Sequence, residues 1–189
     1  MIRKLGIEGI DGSGKTSVAQ EVARQLGTEG LKAAIFSPYR MANALLGREM
    51  YQSWPLRHKA AENIAVLLHV LEQCDAAAAE QGIDVVIYDR HWMTAMTEID
   101  DRPGLVAQWG ERFIPTALLQ VSPGTATRRI GNDHESQWSD LGAQARYADH
   151  YRELARKYPE HLLGIYRSEP DVSVETIAKT IIWDMNIQR

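Results

Sequence analysis

The chain lacks what stabilises small secreted domains and what sends a protein into a membrane. It has one cysteine in 189 residues, Cys74, so an internal disulfide framework and a cysteine metal cluster are both excluded. No apolar stretch approaches bilayer length, and the opening MIRKLGIEGI runs straight into a glycine loop. A signal peptide or membrane anchor is therefore not expected, and a cytoplasmic protein is. Basic residues show no excess either: 21 Lys+Arg against 25 Asp+Glu leave a net charge of −4. No positive footprint for polymeric nucleic acid results, so any nucleotide partner is expected to be a small molecule.

What is present is an ordinary globular composition, 44% hydrophobic and 24% charged, on a length that suits one domain with a full core. Short apolar runs alternate with helical patterns. Strands are expected at about 4–8, 33–37, 84–88, 117–121 and 162–166. Helices are expected at about 15–26, 58–80 and 173–186, the last with Ser173 as N-cap, and helical pattern also follows the later strands. This alternation points to a parallel sheet covered on both faces. The 58–80 segment is apolar on more than one side, with Ile64, Leu67, Leu68 and Leu71 but also Val66 and Val70. A homodimer interface is the expectation, and burial against the sheet and neighbouring helices is the alternative. Cys74 reads as a small core residue.

Gly9-Ile-Asp-Gly-Ser-Gly14-Lys15-Thr16 matches G-x4-G-K-[ST] between an expected strand and an expected helix, the context a phosphate loop requires. Glycines Gly9, Gly12 and Gly14 let the backbone approach phosphate, and successive N–H groups, including those of Ser13 and Ser17, face it at the helix start. Lys15 supplies a positive charge for the β- and γ-phosphates of ATP, and Thr16 a hydroxyl for Mg²⁺. The third strand delivers Asp89 to the sheet edge beside this loop, where a second magnesium ligand belongs. The guanine-reading N-K-x-D or T-K-x-D tetrapeptide does not occur in the chain. The fold class expected is α/β: a P-loop NTPase three-layer sandwich, with a five-stranded parallel sheet and helices on both faces. One domain would span 1–189, with a short lid at about 131–139.

Together these stretches resemble the thymidylate kinase family along most of the chain. Ile7-Glu8-Gly9-Ile10-Asp11-Gly12-Ser13-Gly14-Lys15-Thr16 is similar to its opening motif. Asp89-Arg90-His91 with Thr94 resembles its Asp-Arg-aromatic-x-x-Ser stretch. Val121-x-Pro123 followed by Arg129-Ile130, and Arg146-Tyr147 through Tyr151-Arg152-Glu153-Leu154-Ala155, resemble later segments. The resemblance implies Mg²⁺-ATP as donor and a nucleoside monophosphate as acceptor. It implies that Asp11 binds the acceptor sugar, Arg90 its phosphate, and that Arg129 covers the ATP adenine. Read from the residues alone, Asp11 equally shapes the loop, Arg90 pairs with a carboxylate, and Arg129 lies on a solvated face.

The departures concern the acceptor. Where the family has an Arg two residues before a Pro, this chain has Phe36 before Pro38; Arg40 is a substitute or a surface residue. The helix that carries the family's thymine-reading Arg has none over 64–70, where His69 either approaches the base or packs. Glu98 is either an acceptor for a base amino group or an exposed acid. The lid, 131–138, also lacks Arg, leaving Arg128, Arg129 or Arg102 to stabilise the transferred phosphoryl. Trp92, Trp109 and Trp138 are expected in core or rim packing. The function expected is ATP-dependent phosphorylation of a nucleoside monophosphate, dTMP or a related deoxynucleotide. A kinase with a hydroxyl acceptor and a non-catalytic ATP-binding module are the alternatives.

Overall fold

A computed structural model describes residues 2–47, 60–98, 102–131 and 140–187. Five strands, β1 (Arg3–Glu8), β2 (Ala33–Phe36), β3 (Val85–Asp89), β4 (Thr116–Gln120) and β5 (Leu162–Arg167), form one sheet in the order β2-β3-β1-β4-β5. Every pairing is parallel. The helices are α1 (Lys15–Thr28), α2 (Pro38–Leu46), α3 (Ala60–Glu80), α4 (Trp92–Glu98), α5 (Arg102–Trp109), α6 (Pro123–Ile130), α7 (Leu141–Lys157) and α8 (Val174–Ile187). The α/β sandwich with helices on both faces matches the expectation. No helix among the described residues is long and apolar enough to cross a membrane.

Parallel strands buried on both sides need apolar residues at consecutive positions, and β3 supplies Val85, Val86, Ile87 and Tyr88, all buried. Alternation along each strand then divides the core in two. Leu5, Ile7, Val85 and Ile87 pack with Val18, Val22, Ile177 and Ile181 of α1 and α8. Val86, Tyr88 and Leu118 pack on the other face with Leu67 and Leu71 of α3, Trp92 and Met96 of α4, and Tyr151 and Leu154 of α7. Trp92 and Trp109 are fully buried core residues, with indole N–H groups bonded to Thr116 Oγ1 (2.8 Å) and Arg112 O (3.2 Å). Trp138 lies outside the described residues. Val66 and Leu68 of α3, the second apolar side of that helix, are half-buried against the same core. Cys74 is buried there, its thiol pushed up to about 11 by burial and by Asp75.

β1 is central and the chain leaves it at the carboxyl edge, flanked by β3 and β4. The register sets Asp89 opposite Ile7, and Arg90 N extends the ladder to Ile7 O at 3.1 Å. The residues following β1 and β3 thus emerge side by side, at the edge where open α/β sheets place their ligands.

Candidate active site

The turn after β1 is wedged between β4 and α6, and this fixes its glycines. Gly9 has φ 145° and Gly12 φ 75°. A Cβ on Gly9 would lie 2.6 Å from Leu119 O, and one on Gly12 only 2.4 Å from Ala126 O. Neither backbone neighbour can retreat as a flexible side chain would. Ser13 N closes the turn on Ile10 O at 3.1 Å, and Ser168 Oγ donates to Ser13 O at 2.7 Å. α1 starts with Gly14 as N-cap and without a side-chain cap, so its first N–H groups remain free for an anion. Ser13 Oγ is buried without a hydrogen-bond partner, an orphan a phosphate oxygen would satisfy. The loop therefore fits the triphosphate of a nucleotide.

Lys15 bends back over this loop. Its Nζ donates to Gly9 O (2.9 Å) and Ile10 O (2.8 Å) and lies 3.7 Å from Asp11 Oδ1. Burial, with the positive charge of Arg90 beside it, lowers its pKa to about 8 against the pull of Asp11, Asp89 and Glu8. Arg90 donates through Nη2 to Asp11 Oδ1 in a partly buried ion pair. Burial alone would raise the Asp11 carboxyl, but Arg90 and then Lys15 outweigh it and hold it below the ordinary value. Arg90 has φ 74°, the one non-glycine residue with positive φ among those described. For an L-residue that conformation costs roughly 1–2 kcal/mol, so its surroundings must hold it.

Thr16 and Asp89 are brought together as the sequence anticipated: Thr16 Oγ1 donates to Asp89 Oδ2 at 2.7 Å. No group of three His, Cys, Asp or Glu capable of holding a metal occurs among the described residues. A hydroxyl and one carboxylate leave most positions to phosphate oxygens and water, which is the donor set Mg²⁺ prefers.

One cluster was not anticipated. Glu8, fully buried, accepts from His91 N (2.6 Å), Thr94 N (3.2 Å) and Thr94 Oγ1 (2.6 Å), with Tyr151 OH at 3.4 Å. Tyr151 OH also lies 2.8 Å from Thr94 Oγ1. Burial raises the Glu8 carboxyl, opposed by the Thr94 and His91 hydrogen bonds and by Arg90. The sequence signal was an acid at the end of β1, directly before the first glycine of the loop.

On the other flank, Arg129 Nη1 donates to Gly12 O at 3.2 Å, so α6 lays this exposed arginine against the phosphate loop. Arg128 is instead held at Thr125 Oγ1, 3.0 Å away. Glu169, after β5, accepts from Ser122 N (2.6 Å) and Thr125 Oγ1 (2.9 Å), which braces the start of α6. Ser17 is exposed on α1, and Arg40 is exposed in the first turn of α2. His69 is neither packed nor turned into the core: it is exposed on α3, with Nε2 3.0 Å from the Gln73 amide one turn on. The side chains of Glu98 and Arg102, and residues 132–139 of the expected lid, lie outside the described residues.

Comparison with known proteins agrees with this geometry. The thymidylate kinase family model matches residues 7–177. A protein described as a probable thymidylate kinase from Sulfurisphaera tokodaii is 29% identical over 192 residues, covering 94% of this chain and 95% of the relative. Among solved structures, a deoxyadenosine kinase from M. mycoides with bound dATP has the same fold, with a TM-score of 0.62 at 16% identity over 97% of this chain and 99% of that one. The match over most of its length places this chain in the thymidylate kinase family, and so among the nucleotide-phosphorylating phosphotransferases.

Proposed function

We propose that the protein transfers the γ-phosphoryl of Mg²⁺-ATP to a nucleoside monophosphate, dTMP or a related deoxynucleotide. The observation that carries this reading is how the carboxylates at the loop edge are committed. Asp11 is engaged by Arg90 and Lys15, Asp89 by Thr16, and Glu8 by its four donors. A hydroxyl acceptor would call for a carboxylate basic enough to take its proton, and Asp11, held below its ordinary value by Arg90 and Lys15, accepts a hydrogen bond but is a weak base. A phosphate monoester, with its second pKa near about 6, is already anionic at pH 7 and calls for cations instead.

In this reading the amides of Gly9, Gly12, Ser13, Gly14 and Thr16, with Lys15, bind the ATP phosphates, with Ser17 at the rim and Arg129 over the adenine. Arg90 grips the acceptor phosphate, helped by Arg40, and Asp11 takes the sugar hydroxyl. Thr16 and Asp89 would hold Mg²⁺, which offsets negative charge on the phosphates when bound. An oxygen of the acceptor phosphate forms a bond to the γ-phosphorus while the bond to the β-phosphate bridging oxygen breaks, giving ADP and a nucleoside diphosphate. The protein contributes alignment and fixed positive charge. Support comes from the loop fit, the Thr16–Asp89 contact and family membership. His69 and Glu98 remain the candidates on the base side.

A cytoplasmic setting goes with a Mg²⁺-ATP donor. A homodimer through α3, where Val66 and Leu68 stay half-buried, completes the reading; a sedimenting mass of 21.3 kDa instead of twice that would refute it. The central test offers matched nucleosides and their 5′-monophosphates with ATP and follows product mass. Diphosphates are expected. Turnover of nucleosides with none of the monophosphates would overturn the assignment.

A further inference from the structure

The residue proposed to grip the acceptor phosphate, Arg90, sits in a backbone conformation that an arginine does not adopt unaided. Its own amide is tied to Ile7 O at 3.1 Å, which fixes the side facing β1. On its other side the chain is tied by Glu8. One carboxylate oxygen, Oε1, accepts from His91 N at 2.6 Å and Thr94 N at 3.2 Å, and the other, Oε2, accepts from Thr94 Oγ1 at 2.6 Å. Tyr151 of α7 lies against Thr94 Oγ1 and Glu8 Oε2 and closes the cluster. Arg90 is therefore flanked by two consecutive residues of β1, Ile7 through its carbonyl and Glu8 through its carboxylate.

Glu8 also caps the start of α4, satisfying N–H groups that the helix leaves open. Such caps are normally local, from Ser, Thr, Asp or Asn at the helix start, and cost nothing in buried charge. Here the position before α4 is His91, and the cap comes from a fully buried acid 83 residues earlier in the chain. A buried carboxylate is an expensive way to cap seven residues, unless its charge is used. Its charge attracts the guanidinium of Arg90, which Asp11 holds more strongly.

We infer that Glu8 is the positioning residue for Arg90: it clamps the turn that aims the guanidinium at Asp11 and the acceptor, and it does not touch substrate. The inference rests on the proposed role of Arg90, and the two can fail separately. Glu8→Gln preserves shape, but its amide NH₂ cannot accept from the donors that face one of the two oxygens.

The experiment is a cycle of four proteins: wild type, Glu8→Gln, Arg90→Ala and the double variant. Dissociation constants for dTMP and for ATP are measured by calorimetry, and kcat in a coupled assay. Glu8→Gln should weaken dTMP binding about 10- to 100-fold, the range of a lost charged hydrogen bond, while ATP binding moves less than about threefold. In the Arg90→Ala background Glu8→Gln should add almost nothing, because the group it aims is gone. The same factor in both backgrounds, or equal losses for dTMP and ATP, would overturn the inference and leave Glu8 a structural cap. If Arg90→Ala alone leaves dTMP binding intact, the assignment of Arg90 fails, and this inference with it. Should Glu8→Gln not fold, Thr94→Val removes one of the same hydrogen bonds and enters the same cycle, with an expected loss of about 3- to 10-fold.

Discussion

Acid should destabilise this protein through His91, and replacing that residue by Phe should remove the effect. His91 is buried behind Arg90, with its ring 5.0 Å from Tyr88 and edge-on to Trp109 at 5.4 Å. Burial, and secondarily the charge of Lys4, lower its pKa from 6.5 to about 3. The unfolded chain therefore takes a proton as pH falls through 6.5 while the native state does not. Stability from this group is full above pH 6.5 and drains away down to about pH 3. At pH 5 the loss is 1.5 units at about 1.4 kcal/mol each, roughly 2 kcal/mol, or a melting temperature lower by about 4–8 °C for a chain of this size. His91→Phe keeps an aromatic ring between Tyr88 and Trp109 and leaves the backbone N–H to Glu8 untouched. Glu8 and the surface carboxylates titrate in both proteins, so the difference between the two curves isolates His91. Thermal melts at half-unit steps from pH 7.5 to 4.5 should show wild type falling faster by that amount. Parallel curves would mean that His91 is protonated in the native state, and would refute the account of its burial.

Lys15 titrates within reach of ordinary buffers, its ammonium losing its proton near pH 8. Bound triphosphate should pull that value up, so ATP binding at pH 8.5 should take up a proton and weaken by up to about tenfold per unit above it. Calorimetry in two buffers of different ionisation enthalpy reads the uptake directly; its absence, or its persistence in Lys15→Ala, would reject the assignment. Gly12→Ala should lift α6 off the loop, since the new methyl meets three backbone atoms of Ala126 within 2.9 Å. ATP affinity should fall by about 10-fold or more, while Gly131→Ala, which carries the same strain of a positive φ (73°) but whose Cβ meets open space, should leave it within about threefold; equal effects would mean that the packing of α6 on the loop does not matter. A monophosphate panel should show dTMP favoured over other bases by only about 1–3 kcal/mol, since the described part of α3 carries no arginine to read the base. Preference by several orders of magnitude would contradict this.

The fold was legible where one local pattern had one explanation. Runs buried on both faces, such as Val85-Val86-Ile87-Tyr88, read as interior parallel strands and are so. Ser173 caps α8 as its spacing indicates, accepting from Thr176 N at 3.1 Å. β4 begins one residue earlier than expected, at Thr116, whose buried hydroxyl accepts from the Trp92 indole N–H. The bounds of α4 and α5 had no readable signal, since their described stretches are only seven and eight residues long and neither shows a full amphipathic repeat.

The site divides on the same principle. The phosphate loop was legible because its constraint lies in the backbone: a chain passing 2.4 Å from where a Cβ would sit must use glycine, and the spacing of such glycines survives in any sequence. Glu8 was not legible, because its partners stand 83, 86 and 143 positions away and each looks ordinary where it stands. His69 shows the opposite failure. Its chain neighbours, Leu68 and Val70, are apolar, and that suggested packing. On a helix, though, adjacent residues point about 100° apart, and residues three or four apart share a face. The partner that counts is Gln73, one turn on and exposed with it. A chemical role assigned to a helical residue is therefore better argued from its i±4 neighbours than from those beside it. By that criterion His69 belongs to a solvated stripe with Glu62 and Gln73, and any contact with a base must come from that side.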